Sequence, residues 1–226
     1  MNVLTPLQRD FLYSFFAQPA SAPFVLTGGT ALAAFYLQHR LSEDIDLFAI
    51  APIGNAELKQ SEVLELGVQA AIDAGVAIGA KVESRAPSVH FHQVFLTHQS
   101  APRLKIDLVR DPGPALSEPM VVDGIRVDSM LNIAVNKVTA LSRLAARDYI
   151  DLFFLARAGF RFEDLLEKAK QKDPGLEEFY LGMALKAVDK ISPGDLPTML
   201  KAINLNEVKE YFQSLAVEVA RHTKPE

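Results

Sequence analysis

The order of signals between residues 24 and 48 constrains the fold more than any other stretch of the chain. Phe24-Val25-Leu26 is a short apolar run suited to a core strand; Gly28-Gly29 cuts it, and residues 30–40 carry Ala, Leu, Phe and Tyr at helical density. Residues 41–50 return to a period of two, with Ile45 and Leu47 on one side and Asp44 and Asp46 on the other. Strand, glycine turn, helix and acid-bearing strand in succession require an α/β fold in which one sheet face is core and the other carries carboxylates.

The flanking sequence extends this pattern. Residues 6–18 place Leu7, Phe11, Leu12, Phe15 and Phe16 at helical spacing, and 51–80 reads as a loop followed by a helix around 57–74. Residues 82–96 read as one or two strands, and Leu104 to Val109 alternates again, with Asp107 opposite the apolar residues. A Pro/Gly-rich stretch, 111–119, precedes a short β-like segment at 121–127. Beyond residue 128 almost only helical periodicity remains, interrupted by Gly159, Pro174-Gly175 and the turn Ser192 to Asp195. The expectation is an α/β (α+β) domain over 1–128, built on a mixed sheet, and an α-helical C-terminal domain over 129–226.

With 226 residues, about half of them apolar, the chain has material for a sizeable core without staples. It has no cysteine, so disulfides, thiolate metal sites and cysteine nucleophiles are excluded and a cytoplasmic location is favoured. Neither a signal peptide nor an 18-residue uncharged apolar run is evident, so no membrane association is expected. A net charge of −5 argues against a surface that grips nucleic acid everywhere, while leaving room for a local basic cleft.

The chemistry concentrates on Asp44, Asp46 and Asp107. Alternate residues on one strand project to the same side about 7 Å apart, and a neighbouring strand bearing Asp107 would bring a third hard oxygen donor to them. Such a set suits Mg²⁺, with Mn²⁺ as a substitute, rather than zinc. A cation there would orient a triphosphate, neutralise developing charge and lower the pKa of an attacking hydroxyl. The Gly28-Gly29-Thr30 turn suits a phosphate, since glycine lets backbone approach closely and a helix N-terminus offers unpaired N–H groups.

These residues resemble a known family. The string Leu26-Thr27-Gly28-Gly29-Thr30-Ala31-Leu32, followed by His39-Arg40-Leu41-Ser42-Glu43-Asp44-Ile45-Asp46-Leu47-Phe48, is similar to the first signature of the AbiEii/AbiGii-type nucleotidyltransferase toxins. These belong to abortive-infection and toxin–antitoxin systems within the polymerase-β-like superfamily. A second signature is Asp128 with Lys137, then Ala140, Leu141, Arg143, Arg147-Asp148 and Asp151-Leu152. The resemblance spans roughly 24–157 and implies a polymerase-β-like core that moves an NMP from an NTP to an acceptor hydroxyl. It further implies phosphate contacts at Gly28, Gly29 and Thr30, nucleotide contacts at Arg40 and Ser42, and metal ligation by Asp44, Asp46 and Asp107. Lys137 would touch the triphosphate and Asp148 would be a supporting acid; the two share a face if the helix between them is continuous. The implied acceptor is RNA, such as a tRNA 3′ end, and the implied partner is a cognate antitoxin. The alternatives are a non-catalytic nucleotide- or RNA-binding module of the same fold, or an enzyme with a protein or small-molecule acceptor.

Other features are read more plainly. Arg143 and Arg147 form an i, i+4 basic pair of the kind that usually lies on a solvated or salt-bridged surface. His90, His92 and His98 lack a third ligand at metal spacing and are taken as exposed strand residues. His39 is read as a half-buried residue at a helix end. The Phe-rich pattern is core packing.

Overall fold

A computed structural model describes residues 3–50, 60–88, 90–99, 101–111 and 113–222. The chain divides into two compact units, Met1–Tyr36 with Ser42–Ser129, and Leu37–Leu41 with Met130–Glu226.

The first unit opens with α1 (Pro6–Phe16), started by a capping box: Gln8 N–H donates to Thr5 Oγ1 and Thr5 N–H donates to Gln8 Oε1, with Pro6 in the first turn. The Gln8 amide also donates to the carbonyls of Ser42 and Glu43, at 2.8 and 3.2 Å. This ties α1 to the segment just before the first acidic strand. The apolar stripe foreseen over 6–18 is buried at Leu7, Phe11, Leu12 and Phe15. Phe15 meets Phe24 edge-on, with ring centroids 5.8 Å apart.

Then follow β1 (Phe24–Thr27), α2 (Gly28–Ala31) running into a π-helical turn at Leu32–Leu37, and β2 (Ile45–Ala49). The helix expected to reach residue 40 thus stops at 37, because the widened turn ends on Gln38 with φ +50°. The helix α3 (Gln60–Ala77) precedes three long strands, β3 (Lys81–Ser88), β4 (Phe91–His98) and β5 (Ala101–Arg110). The part of the foreseen loop and helix that falls on 51–59 lies outside the described residues. The β-like segment at 121–127 is a hairpin, β6 (Met120–Val122) and β7 (Ile125–Val127), turned at Asp123-Gly124.

All seven strands form one mixed sheet in the order β3-β4-β5-β2-β1-β7-β6. The pairs β2/β5 and β1/β7 are parallel and the others antiparallel. One face is apolar, with Ile45, Leu47, Val94, Leu96, Leu104, Ile106 and Leu108 buried. The helix α3 lies directly on it. A Cβ at Gly75 would come 2.5 Å from a Leu96 methyl and 2.8 Å from a Val82 methyl, so the backbone approach depends on glycine. By strand alternation, Asp46, Lys105 and Asp107 project from the opposite face.

The second unit is helical: α4 (Met130–Ala140), α5 (Ala146–Arg157), α6 (Phe162–Lys172), α7 (Glu178–Lys186) and α8 (Leu205–His222), with short 3₁₀ turns between them. Residues 39–41 join it by a bridge between Arg40 and Met199 and by hydrogen bonds from Leu41 N–H to the Thr198 carbonyl and Leu200 N–H to the His39 carbonyl, each 2.8 Å. Its core centres on Tyr149, Leu185, Val208 and Phe212. The Tyr149 hydroxyl donates to the Ala184 carbonyl at 2.6 Å, and burial together with the Asp148 charge pushes its pKa up to about 12. Among the described residues no helix is long and apolar enough to cross a membrane.

Candidate active site

The sheet register brings the sequence-predicted acids of the first unit together. Asp46 on β2 is the cross-strand partner of Asp107 on β5, and Thr27 on β1 is the partner of Asp46 from the other side. Asp44 lies two residues before Asp46, immediately ahead of β2. The glycine turn sits against this row: Gly28 has φ +67°, and a Cβ there would fall 2.0 Å from Asp46 Oδ2. Any other residue would be strained and would collide with the carboxylate, so turn and acid are built as one feature. Thr30 donates its hydroxyl to the Asp44 carbonyl. Gly29 and Thr30 are buried, and Ser42 is half-buried with its carbonyl held by Gln8.

The acid face already contains a cation. Lys105 Nζ lies 3.0 Å from Asp44 Oδ2 and 2.9 Å from Asp107 Oδ2, and the Gln93 amide donates to Asp107 Oδ1 at 3.0 Å. Partial burial by itself would lower the lysine's pKa, but hydrogen bonds and charge from Asp107 and Asp44 outweigh it, and the ammonium is held charged above its ordinary value. The side chains of Asp44, Asp107 and Lys105 remain partly open to solvent. Among the described residues no three acidic or imidazole side chains form a ready-made metal site. The Lys105 ammonium lies between Asp44 and Asp107; carboxylate oxygens of this kind are the hard donors that magnesium prefers.

A second cluster, in the helical unit, has a different character. Leu144 is left-handed, with φ +54°, so Lys137 and Asp148 do not lie on one continuous helix; the chain folds back and α5 faces α4. Lys137 Nζ lies 2.6 Å from both Asp148 Oδ1 and Asp151 Oδ2. Arg40 forms a fork on Asp151, at 2.7 Å through Nε and 2.8 Å through Nη2, and His39 Nε2 lies 2.8 Å from Asp151 Oδ1. Arg143 reaches Asp148 Oδ2 at 3.3 Å. Burial alone would raise the pKa of Asp151, yet the charges of Lys137 and Arg40 and the hydrogen bonds from Arg40 and His39 hold its carboxyl well below the usual carboxylate range. Burial pushes His39 the other way, below 6.5, against the pull of Asp151. Its Nδ1 is buried and has no hydrogen-bond partner among the described residues, consistent with a neutral ring that donates from Nε2.

Arg40, foreseen as a nucleotide contact, is therefore buried on Asp151, and His39 is fully buried rather than half-buried. Asp128 and Asp151, named only as part of the second signature with no role of their own, and Lys105, not singled out at all, matter here. Asp151 is the hub of the helical cluster. Lys105 shares the face of Asp107 by simple alternation, a signal that was available two positions away. Asp128 accepts a 2.8 Å hydrogen bond from the Thr27 hydroxyl and fixes the end of β1. His90 lies beside Arg110 on the strand surface.

A mixed sheet with a glycine turn packed against paired strand acids, together with a separate helical unit, defines a polymerase-β-like nucleotidyltransferase fold. Residues 10–218 match the family described as nucleotidyl transferase AbiEii toxin, type IV toxin–antitoxin system, and the chain belongs to that family. Solved structures share the fold. JHP933 from Helicobacter pylori superposes with a TM-score of 0.54 at 20% identity, over 96% of this chain and 90% of that one. A protein from H. pylori described as a nucleotidyltransferase gives 0.55 at 21% identity, over 96% and 92%. MenT4, a nucleotidyltransferase toxin from Mycobacterium tuberculosis, gives 0.57 at 17% identity, over 94% and 84%. No match is found among curated proteins.

Proposed function

We propose that this toxin-family protein moves a nucleoside monophosphate from an NTP to a hydroxyl of RNA, such as a tRNA 3′ end, as a cytoplasmic enzyme controlled by a cognate antitoxin. The observation that carries the reading is the Asp46–Asp107 register pair lying under the Gly28 turn, with the Lys105 ammonium between Asp44 and Asp107. Magnesium, or manganese in its place, would be held by Asp44, Asp46 and Asp107, and when bound supplies charge neutralisation for the triphosphate and acidifies the attacking hydroxyl.

The remaining roles belong to the chain. Backbone at Gly28, Gly29 and Thr30 lies against the phosphates, with Ser42 as a nucleotide-side residue. Asp107 takes the proton of the acceptor hydroxyl; that oxygen bonds to the α-phosphorus as the bond to the bridging oxygen breaks and pyrophosphate leaves. Gln93 holds Asp107 in the orientation this requires.

The test is incubation of the purified protein with each α-labelled NTP, Mg²⁺ and total cellular RNA, beside an Asp44→Ala/Asp46→Ala control. Label entering one RNA class with wild type alone supports the reading and names the acceptor. Label entering protein only, or none entering any fraction, contradicts it.

A further inference from the structure

Next to the acids, the same open sheet face carries an aromatic flanked by cations. The row after Lys105 runs across β4 and β3 to Phe95 and Glu83, while Asp107 pairs with Gln93 and Gln93 with Arg85. The guanidinium carbon of Arg103 stands 4.1 Å from the Phe95 ring centroid and that of Arg85 stands 5.4 Å away. Lys81 is exposed on the same face, and Glu83 offsets part of the charge, pairing with Arg103 at 2.9 Å. In a chain of net charge −5, two exposed guanidinium groups over one half-buried ring, with Lys81 farther along the strand, form a local basic patch.

We propose that this patch seats the last nucleotides of the RNA acceptor, with Phe95 stacking on a base and Arg85 and Arg103 contacting phosphates; it rests on the nucleotidyltransferase reading above. Three arguments lead there. The Gly28 turn lies on the β1 side of the acids and the patch on the β4 side, so triphosphate and acceptor approach Asp107 from opposite directions along the strand order. Phe95 and Asp107 are diagonal neighbours on adjacent strands, a separation of about 7–8 Å, which is about two stacked nucleotides at roughly 3.4 Å each. An aromatic face framed by guanidinium groups is also the arrangement that binds single strands with little sequence preference.

The test measures binding of a fluorescein-labelled single-stranded oligoribonucleotide across a salt series, beside label transfer to cellular RNA. Phe95→Ala is expected to weaken binding about tenfold, and Phe95→Trp to retain it. The double variant Arg85→Gln/Arg103→Gln is expected to flatten the salt slope by about 1.4, near 0.7 per lost contact. If wild type transfers label to RNA while these variants keep its affinity and slope, the patch assignment falls and the enzymatic reading stands. If wild type binds no oligoribonucleotide, or labels protein alone, the acceptor assignment falls and the patch with it.

Discussion

The two charged clusters use the same residue types and reach opposite ends of electrostatic design. In the sheet unit, Asp44, Asp107 and Lys105 keep 25%, 14% and 29% of their side-chain surface exposed, and one ammonium serves the acids. In the helical unit, Asp148 and Asp151 are fully enclosed, Lys137 keeps 7%, and each carboxylate has at least two cationic partners. Water and ions can exchange with the first cluster, so its charges are available to a ligand. Charges in the second were desolvated when the unit folded, and they are tolerable only because they are matched. The difference teaches that acids near a cation are not equivalent: exposure separates charges that a ligand can reach from charges that are matched inside the helical unit.

Breaking the buried cluster gives the largest effect. Asp151→Asn leaves Arg40 and Lys137 buried without their shared counter-charge, and removing one partner of such a pair costs about 3–5 kcal/mol. Urea unfolding should show that loss, whereas a change below about 1 kcal/mol would mean the cluster is hydrated and the contrast is false. Lys105→Met on the sheet face should cost about 1 kcal/mol or less without divalent ions, because the pair is partly exposed, and Mg²⁺ should restore the melting temperature. A large loss that Mg²⁺ does not repair would make Lys105 a structural residue.

The smallest effect is in pH. His39 stays neutral in the fold because its pKa is lowered below 6.5, so the unfolded chain binds the extra proton as pH falls through 6.5. Its contribution is therefore fully present above that value and is lost progressively below it. His39→Gln, which keeps a donor for Asp151, should flatten the stability profile below pH 6.5. An unchanged profile would show that His39 does not titrate differently in the two states. Asp151 acts at lower pH: its depressed pKa stabilises the fold above 3.8, and that stability is lost as pH drops further.

How much of this was legible in the sequence follows from the range of each interaction. The alternation of Asp44, Ile45, Asp46 and Leu47 is local, as are the glycine turn and the helical spacing after residue 129, and the mixed sheet and helical region can be read from them. The grouping of Leu37–Leu41 with the helical unit was not legible, because it depends on the π-helical turn, on Gln38 entering positive φ and on the bridge to Met199 far along the chain. Asp151 stood in the second signature without a role, because its partners His39 and Arg40 are more than a hundred residues away. Lys105 was hidden for another reason: a lysine on a strand reads as solubility until the register places it between two carboxylates.

The central claim, that the sheet acids perform chemistry while the helical acids hold the fold, is tested most directly by Asp46→Asn. Single-turnover transfer from an α-labelled NTP to RNA would be measured beside urea unfolding of the same preparation. The account predicts transfer reduced at least a hundredfold, about 3 kcal/mol of lost transition-state stabilisation, with unfolding free energy changed by less than about 1 kcal/mol. Transfer close to wild type, or loss of activity that merely follows loss of the fold, would contradict it.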